Sequence, residues 1–123
     1  MSLALEDNQA KYQIRAFRPG FIQINEQTYT HSLIVCAEKL ITDWPPQTIT
    51  ELTHEHLQII VEMQPAILLI GTGASIYFPP LDCYGELINA GIGVEIMDTG
   101  AACRTYNILT AEGRHVIAAL MIK

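Results

Sequence analysis

The amino-acid sequence predicts a single α/β domain, and three observations support that prediction. The chain has 123 residues, of which 50% are hydrophobic and 16% charged, so it is long enough to bury one sizeable core. Residues 12–37 contain short strand-like segments separated by turns, which is typical of an antiparallel sheet. The second half alternates apolar strands with helices, which predicts a partly parallel sheet covered by helices. We assign residues 1–123 to one domain and set 1–11 apart as a candidate disordered segment.

Turn residues define the N-terminal strands. A turn at Arg18-Pro19-Gly20 separates "YQIRAF" from "FIQI", and a second turn at Asn25-Glu26 follows "FIQI". The next strand-like segment is "SLIVCA". The predicted antiparallel sheet therefore contains residues 12–17, 21–24 and 32–37.

The middle of the chain predicts a connector and a helix. The connector is the proline-containing stretch that begins at Trp44. Thr53 is then a candidate helix cap, because threonine accepts hydrogen bonds from the free N–H groups of a first turn. Leu57, Ile60 and Val61 follow at helical spacing, so we expect that face of the helix to pack inward.

The second half of the chain predicts three strands and two helices. The strands are "AILLI", "VEIM" and "VIAALMI", and "AILLI" is a continuous apolar run typical of a strand buried on both faces. Pro80 suits the first turn of a helix that ends at Gly91. Its apolar stripe is formed by Leu81, Tyr84, Gly85 and Ile88.

The final helix is predicted to begin directly after "VEIM". Asp98 or Thr99 can cap its first turn, and Gly113 stops it before the last strand. The small residues of its first turn, Gly100, Ala101 and Ala102, permit close packing against the sheet.

Charge and cysteine content restrict the function classes. The net charge is −6, and residues 41–123 carry all of it, which disfavours nucleic acid and anionic membrane surfaces as partners. Three cysteines form no Cys-x-x-Cys pair, which favours a reducing compartment. No apolar run resembles a signal peptide or a membrane span, so we expect a cytoplasmic protein without membrane insertion.

Residues 98–101, Asp-Thr-Gly-Ala, match the signature of retroviral-type aspartic proteases, in which two subunits each supply one aspartate. Those proteases are nearly all β and need a later apolar pair before a Gly-Arg element. Here Gly113-Arg114 follows Ala111-Glu112, and the intervening stretch is predicted to be helical. We therefore favour the helix-cap interpretation over the protease.

Three further motifs each lack a residue that their chemistry needs. Gly71-Thr72-Gly73 follows a buried strand, but the third glycine of a dinucleotide loop would fall at Ile76. The run His54-Glu55-His56 has no second histidine at the spacing of a zinc-binding helix. Cys103 lies near a helix N-terminus beside Arg104, features that lower a thiol pKa, but no histidine is close in sequence to act as its base. We therefore interpret the glycine motif as a turn, the histidine motif as a solvated helix start and Cys103 as a packed thiol.

Three segments together resemble a known family: "GTGASIYFPP" (71–80), "AGIGVEIMDTGAACRTYNIL" (90–109) and "EGRHVIAAL" (112–120). The chain is similar, from Tyr12 to Ile122, to a family of small proteins of unknown function whose eukaryotic members include mitochondrial complex I assembly factor 3 and an adipogenesis-associated protein. The resemblance implies a three-layer α/β domain with a mixed central sheet and an extra N-terminal antiparallel β layer. It also implies assistance in assembly through protein contacts, and it supplies no catalytic residues.

Two function hypotheses follow. The first is a non-enzymatic binding or assembly-factor-like protein with a protein partner, no cofactor and no catalytic residues. The second is a small-molecule or anion-binding protein, with an enzyme among the alternatives, because ligands of α/β sheets bind beyond the carboxyl ends of strands. In that case Arg104 supplies the positive charge that attracts the anion. The candidate ligand-binding residues are Gly71, Thr72, Gly73, Asp98, Thr99, Gly100, Cys103, Arg104, Tyr106 and Asn107.

Overall fold

The computed structural model describes residues 8–123. Most of the candidate disordered segment, 1–11, lies outside the described residues. At its end, the Asn8 side chain donates to Thr110 Oγ1 at 2.8 Å and the Lys11 N–H donates to the carbonyl of Ala37 at 2.9 Å. The chain therefore contacts the domain from Asn8 onward.

The first three strands form a small antiparallel sheet in the order β1-β2-β3. The strands are β1 (Ile14–Arg18), β2 (Phe21–Ile24) and β3 (Gln27–Tyr29). Both predicted turns are present, and Gly20 takes a φ of 97° in the first of them. The sequence did not predict β3, because a three-residue strand with mainly polar side chains has no apolar alternation.

The larger sheet has five strands in the order β5-β4-β8-β6-β7. Strands β6, β7 and β8 are mutually parallel where they pair, whereas β4 pairs antiparallel with β8 and with β5. The sheet is therefore mixed, as predicted. Its members are β4 (Leu33–Cys36), β5 (Leu40–Ile41), β6 (Ile67–Thr72), β7 (Gly93–Met97) and β8 (Val116–Met121).

One strand assignment is wrong. The segment "SLIVCA" was predicted to join the N-terminal antiparallel sheet, but β4 pairs with β8 in the central sheet. All four residues of β4 are buried, whereas buried residues alternate with half-buried ones along β2. A strand buried at every position needs cover on both faces, and only the central sheet supplies it.

The helices are α1 (Gln58–Met63), α2 (Gly85–Asn89) and α3 (Thr99–Ala111), with 3₁₀ turns at Ile49–Glu51, His54–Leu57 and Leu81–Cys83. Leu57 and Ile60 are fully buried, as the predicted inward face requires. The stripe predicted after Pro80 is wrong, because Leu81 and Ile88 are exposed while Cys83 and Leu87 are buried. A 3₁₀ turn precedes a five-residue helix here, so a regular 3.6-residue stripe does not form.

Apolar side chains cover both faces of the central sheet. One face packs against α3 and the three-stranded sheet, and its core includes Leu69, Leu120 and Tyr106. The opposite face packs against α1 and α2, and its core includes Leu68 and Trp44. These layers confirm the predicted fold class, with the N-terminal β layer beside α3. None of the helices within residues 8–123 is long and apolar enough to cross a membrane.

Candidate functional site

The loop after β6 meets the start of α3, as the sequence predicts. The N–H of Gly73 donates to Thr99 Oγ1 at 2.8 Å, and the N–H of Thr99 donates to the carbonyl of Gly73 at 2.9 Å. The same threonine hydroxyl donates to the carbonyl of Met121 at 2.6 Å. One fully buried side chain thus joins the carboxyl ends of β6 and β8 to the helix that follows β7.

This junction is filled with protein atoms. A Cβ added at Gly71 would lie 2.8 Å from Thr99 Oγ1 and 2.9 Å from Leu120 Cδ2, so only glycine fits there. Gly73 has a φ of 97°, and a Cβ on it would collide with the carbonyl oxygen of Lys123. These glycines permit close approach of the backbone, which agrees with the glycine-turn interpretation.

Asp98 is the helix cap. Its carboxylate accepts the N–H of Ala101 at 2.9 Å, whereas Thr99 lies within the helix and uses its hydroxyl across the sheet. The Asp-Thr-Gly-Ala run therefore turns the chain from β7 into α3, as the interpretation favoured over the protease requires.

Tyr106 and Asn107 join α3 to the N-terminal sheet. Tyr106 is fully buried, and its hydroxyl donates to the carbonyl of Tyr12 at 2.7 Å. The Asn107 amide accepts the N–H of Ile14 at 3.2 Å and donates to the carbonyl of Ile14 at 2.7 Å. Their polar atoms are therefore occupied by the backbone of the N-terminal segment.

The Cys103 thiol is buried, which agrees with the packed-thiol interpretation and not with an activated nucleophile. Burial raises the pKa of this thiol from 9.0 to about 12, and the opposing effect of the Arg104 charge is smaller. The side chain is buried in the core under α3, so desolvation of the thiolate outweighs the attraction of the neighbouring cation. Cys103 stays a neutral thiol at physiological pH and packs as a small apolar group.

Five of the ten predicted ligand residues line one of two cavities. Cavity 1, of about 200 Å³, lies between β1 and α3 and is lined by Gly100, Cys103, Arg104 and Asn107 from the predicted set. Cavity 2, of about 440 Å³, includes Thr72 and lies between residues 47–50 and the loop after β6. Gly73 lines neither cavity, so the site expected to join it to Arg104 is divided.

One histidine of the pair, His56, has a local structural role. His56 Nδ1 accepts the N–H of Thr53 at 3.1 Å, which helps to start the 3₁₀ turn before α1. Within residues 8–123, no three His, Cys, Asp or Glu side chains are grouped so that they could hold a metal ion.

An exposed apolar segment, which the sequence analysis missed, follows β6. Residues 76–81, hereafter the apolar loop, expose large hydrophobic side chains. The exposed fractions are 48% for Ile76, 58% for Tyr77, 71% for Phe78 and 63% for Leu81. The signal that could have revealed this segment is an apolar run that contains two prolines, because such a run cannot continue a central strand or a helix interior.

Comparisons with known proteins give a consistent family assignment. The family model described as protein of unknown function (DUF498/DUF598) matches residues 14–121. A Francisella tularensis protein named "13 kDa major membrane protein" is 33% identical over 94% of this chain and 95% of its own length. The Danio rerio protein named NADH dehydrogenase [ubiquinone] 1 alpha subcomplex assembly factor 3 is 29% identical over 98% of this chain and 70% of its own length.

The fold also recurs in solved structures. The crystal structure of a Bordetella parapertussis protein superposes with a TM-score of 0.86 at 36% sequence identity. The superposition covers 94% of this chain and 98% of the other. The fold of this chain is thus closely similar to that of the Bordetella parapertussis protein.

Proposed function

Because the chain belongs to the family of proteins of unknown function DUF498/DUF598, we propose that it is a non-enzymatic binding protein that assists the assembly of a protein complex. The relative from Danio rerio is named an assembly factor and matches almost the whole of this chain. An assembly factor acts by contacting its clients. The proposal therefore needs a surface suited to a protein partner, and the apolar loop is the candidate.

The exposure of the apolar loop is the observation that carries this proposal. Tyr77 and Phe78 are adjacent and each is more than half exposed. Aromatic side chains supply much of the binding energy at protein interfaces, because they bury a large area with few rotatable bonds. Leaving them in water has a hydrophobic cost that a partner would remove.

The loop is attached firmly to the domain. Thr72 Oγ1 donates to the carbonyl of Ser75 at 2.6 Å and accepts the N–H of Tyr77 at 3.2 Å. Pro79 is buried, although its neighbours on both sides are exposed. A segment that is already ordered loses less conformational entropy on binding, which favours affinity.

The charge near the loop favours a protein partner over a lipid surface. Residues 71–90 contain Asp82 and Glu86 but no lysine or arginine, so this stretch offers no attraction to anionic headgroups. The Francisella tularensis relative is named a membrane protein, which makes vesicle binding a necessary control.

All three cysteines are free and buried, which supports our assignment to the reducing cytoplasm.

Affinity capture from cells that express tagged protein tests the proposal. The wild-type chain should recover a stoichiometric protein partner, and Phe78→Ser should recover much less of it because the exposed aromatic contact is removed. Ile108→Ser is the matched control, since Ile108 on α3 is 51% exposed and lies outside the apolar loop.

Three outcomes contradict the proposal. One is equal recovery of the partner by Phe78→Ser and by wild type. A second is an equal loss of partner recovery in the Ile108→Ser control, which would indicate nonspecific binding by exposed apolar residues. The third is flotation of the wild-type chain with lipid vesicles, lost in Phe78→Ser, which would assign the loop to a membrane.

A further inference from the structure

Two arginines from different elements line cavity 1. Arg15 belongs to β1 and Arg104 to α3, and both side chains are exposed at the mouth of this cavity of about 200 Å³. Phe17 and Gly100 line it as well. Two positively charged residues that line one small space repel each other, and an anion between them would relieve that repulsion.

The backbone at Arg15 is irregular and is held on one side by Asn107. The pairing of β1 with β2 shifts between Ile14 and Ala16, so Arg15 is the extra residue of a bulge. Both polar groups of the Asn107 amide hold the backbone of Ile14, directly before the bulge. Bulges reorient a side chain relative to the sheet, and the anchored backbone fixes that orientation.

Two further ionisable groups, the Cys103 thiol and the Asp98 carboxylate, lie near Arg104 and affect the charge of the cavity. The Cys103 thiol in the cavity wall stays neutral, because burial raises its pKa to about 12. The Asp98 carboxylate lies beside Gly100, where it accepts the N–H of Ala101, and its negative charge offsets part of the charge of the two arginines, so a net positive charge remains.

A main-chain donor adds to the two side chains. Gly100 is the second residue of the thirteen-residue helix α3, and a helix leaves the N–H of that position without an internal acceptor. The positive end of the helix dipole lies at the same place and favours an anion.

We propose that cavity 1 binds a small phosphate-type oxyanion between Arg15 and Arg104. Guanidinium groups donate paired hydrogen bonds that match the oxygen geometry of phosphate. The volume is below the range of roughly 300–1,000 Å³ typical of pockets for drug-sized ligands, so the cavity suits the anionic group itself or a small monoester. This site is separate from the apolar loop, and it relocates the expected anion site from the Gly73 junction to the groove between β1 and α3.

Gly100 permits a steric test that spares the fold. A Cβ at this position would lie 3.4 Å from Asp98 Oδ1, 3.5 Å from an Arg104 guanidinium nitrogen and 3.6 Å from Phe17 Cδ2. These are ordinary contact distances, so Gly100→Ala should fold, and alanine is the better helix former. The added methyl would nevertheless occupy space beside Arg104 that the oxyanion needs.

Titration with inorganic phosphate at constant pH and ionic strength tests the proposal, with the amide and arginine side-chain NMR signals as the readout. The wild-type protein should show saturable shifts at Gly100, Arg15 and Arg104. Arg15→Gln and Arg104→Gln should each weaken binding by about tenfold or more, because each removes a charge-assisted hydrogen-bonding group. Gly100→Ala should weaken binding without lowering the melting temperature.

Arg18→Gln is the matched control, because it removes the same charge from the same strand. Arg18 lies over the Phe21 ring and does not line the cavity. The phosphate affinity of the Arg18→Gln variant should stay within about twofold of that of the wild type. If Arg18→Gln bound phosphate as weakly as Arg15→Gln does, the loss of affinity would reflect general electrostatics, and the proposed site would be wrong. Non-saturable shifts in the wild type would also overturn the site. Unchanged phosphate affinity in Gly100→Ala would overturn it as well.

The phosphate could be free or part of a lipid headgroup, and a second measurement distinguishes these sources. Flotation with phosphatidylglycerol vesicles that is lost in Arg15→Gln would identify a headgroup. Phosphate binding without flotation would identify a free oxyanion.

Discussion

At the scale of single residues, the Thr99 hydroxyl joins three elements. It accepts the N–H of Gly73 and donates to the carbonyl of Met121, and it is inaccessible to water. Replacing it by a methyl group of similar size leaves both backbone partners buried without a hydrogen bond. Each such loss costs about 1–3 kcal/mol, so Thr99→Val should lower the free energy of unfolding by about 2–6 kcal/mol.

Urea denaturation measures this effect, with Thr105→Val as the control on the same helix. Within residues 8–123 the Thr105 hydroxyl makes one hydrogen bond, a weak one to Met97 Sδ at 3.7 Å, so its loss should change stability by no more than about 0.5 kcal/mol. Equal stabilities of the two variants would show that the Thr99 hydrogen bonds contribute little.

The buried thiol of Cys103 predicts a dependence of stability on alkaline pH. Its pKa is raised from 9.0 to about 12 in the folded chain because burial disfavours the thiolate. Above pH 9 the unfolded chain therefore binds fewer protons than the folded chain, and the stability falls as the pH rises through this window. One such proton contributes a slope of at most about 1.4 kcal/mol per pH unit.

Urea denaturation at a series of pH values from about 7 to 10.5 tests the linkage. Cys103→Ser and Cys103→Ala cannot ionise at this position, so both should show a shallower loss of stability above pH 9 than the wild type. Identical slopes in the wild type and both variants would contradict the assignment to Cys103.

At the scale of elements, Asn107 attaches the three-stranded sheet to α3. Asn107→Asp keeps an acceptor for the Ile14 N–H but loses the donor to the Ile14 carbonyl, and it places a carboxylate against that oxygen. The three-stranded sheet should then open locally more often. Hydrogen exchange should become faster at Ile22 and Ile24 while the amides of β6 keep their protection.

Asn89→Asp on α2 is the control for this experiment, because it makes the same chemical change on a different helix. Its exchange pattern should match that of the wild type. Uniform acceleration across both sheets in Asn107→Asp would instead show that the amide stabilises the whole domain and not one junction.

At the scale of the whole molecule, two apolar cores share the central sheet. Leu68 belongs to the core that contains Trp44, and Leu69 belongs to the core under α3. Both leucines are fully buried, so Leu68→Ala and Leu69→Ala should each lower the free energy of unfolding by about 2–5 kcal/mol. Because both cores depend on the same strand, we expect them to unfold together.

Trp44 fluorescence and circular dichroism test this cooperativity. Trp44 is the single tryptophan, and it reports only the core on its own side of the sheet. Leu69→Ala alters the opposite face of the sheet. In this variant the fluorescence and circular dichroism signals should still change at one shared denaturation midpoint, and that midpoint should be lowered as it is in Leu68→Ala. A fluorescence midpoint that does not move in Leu69→Ala would mean that the two cores unfold independently.

The sequence by itself determined the fold class and the local structure at several element boundaries. The apolar run at residues 66–70 predicted a strand buried on both faces, and residues 67–72 form β6 with five of six positions buried. Asp98 and Gly113 correctly bounded the last helix, because capping and left-handed conformations depend on a few neighbouring residues. Such signals are short-range, and they can be interpreted from residue type and spacing.

Only the tertiary structure decided which surfaces meet. The order of the strands placed β4 beside β8, and the filled contact between Gly71 and Thr99 divided the expected ligand site. The same packing put Arg15 of a bulged strand and Arg104 of a helix around one cavity, and it left Phe78 exposed. These outcomes depend on contacts between residues far apart in the chain, and neither periodicity nor local propensity contains that information.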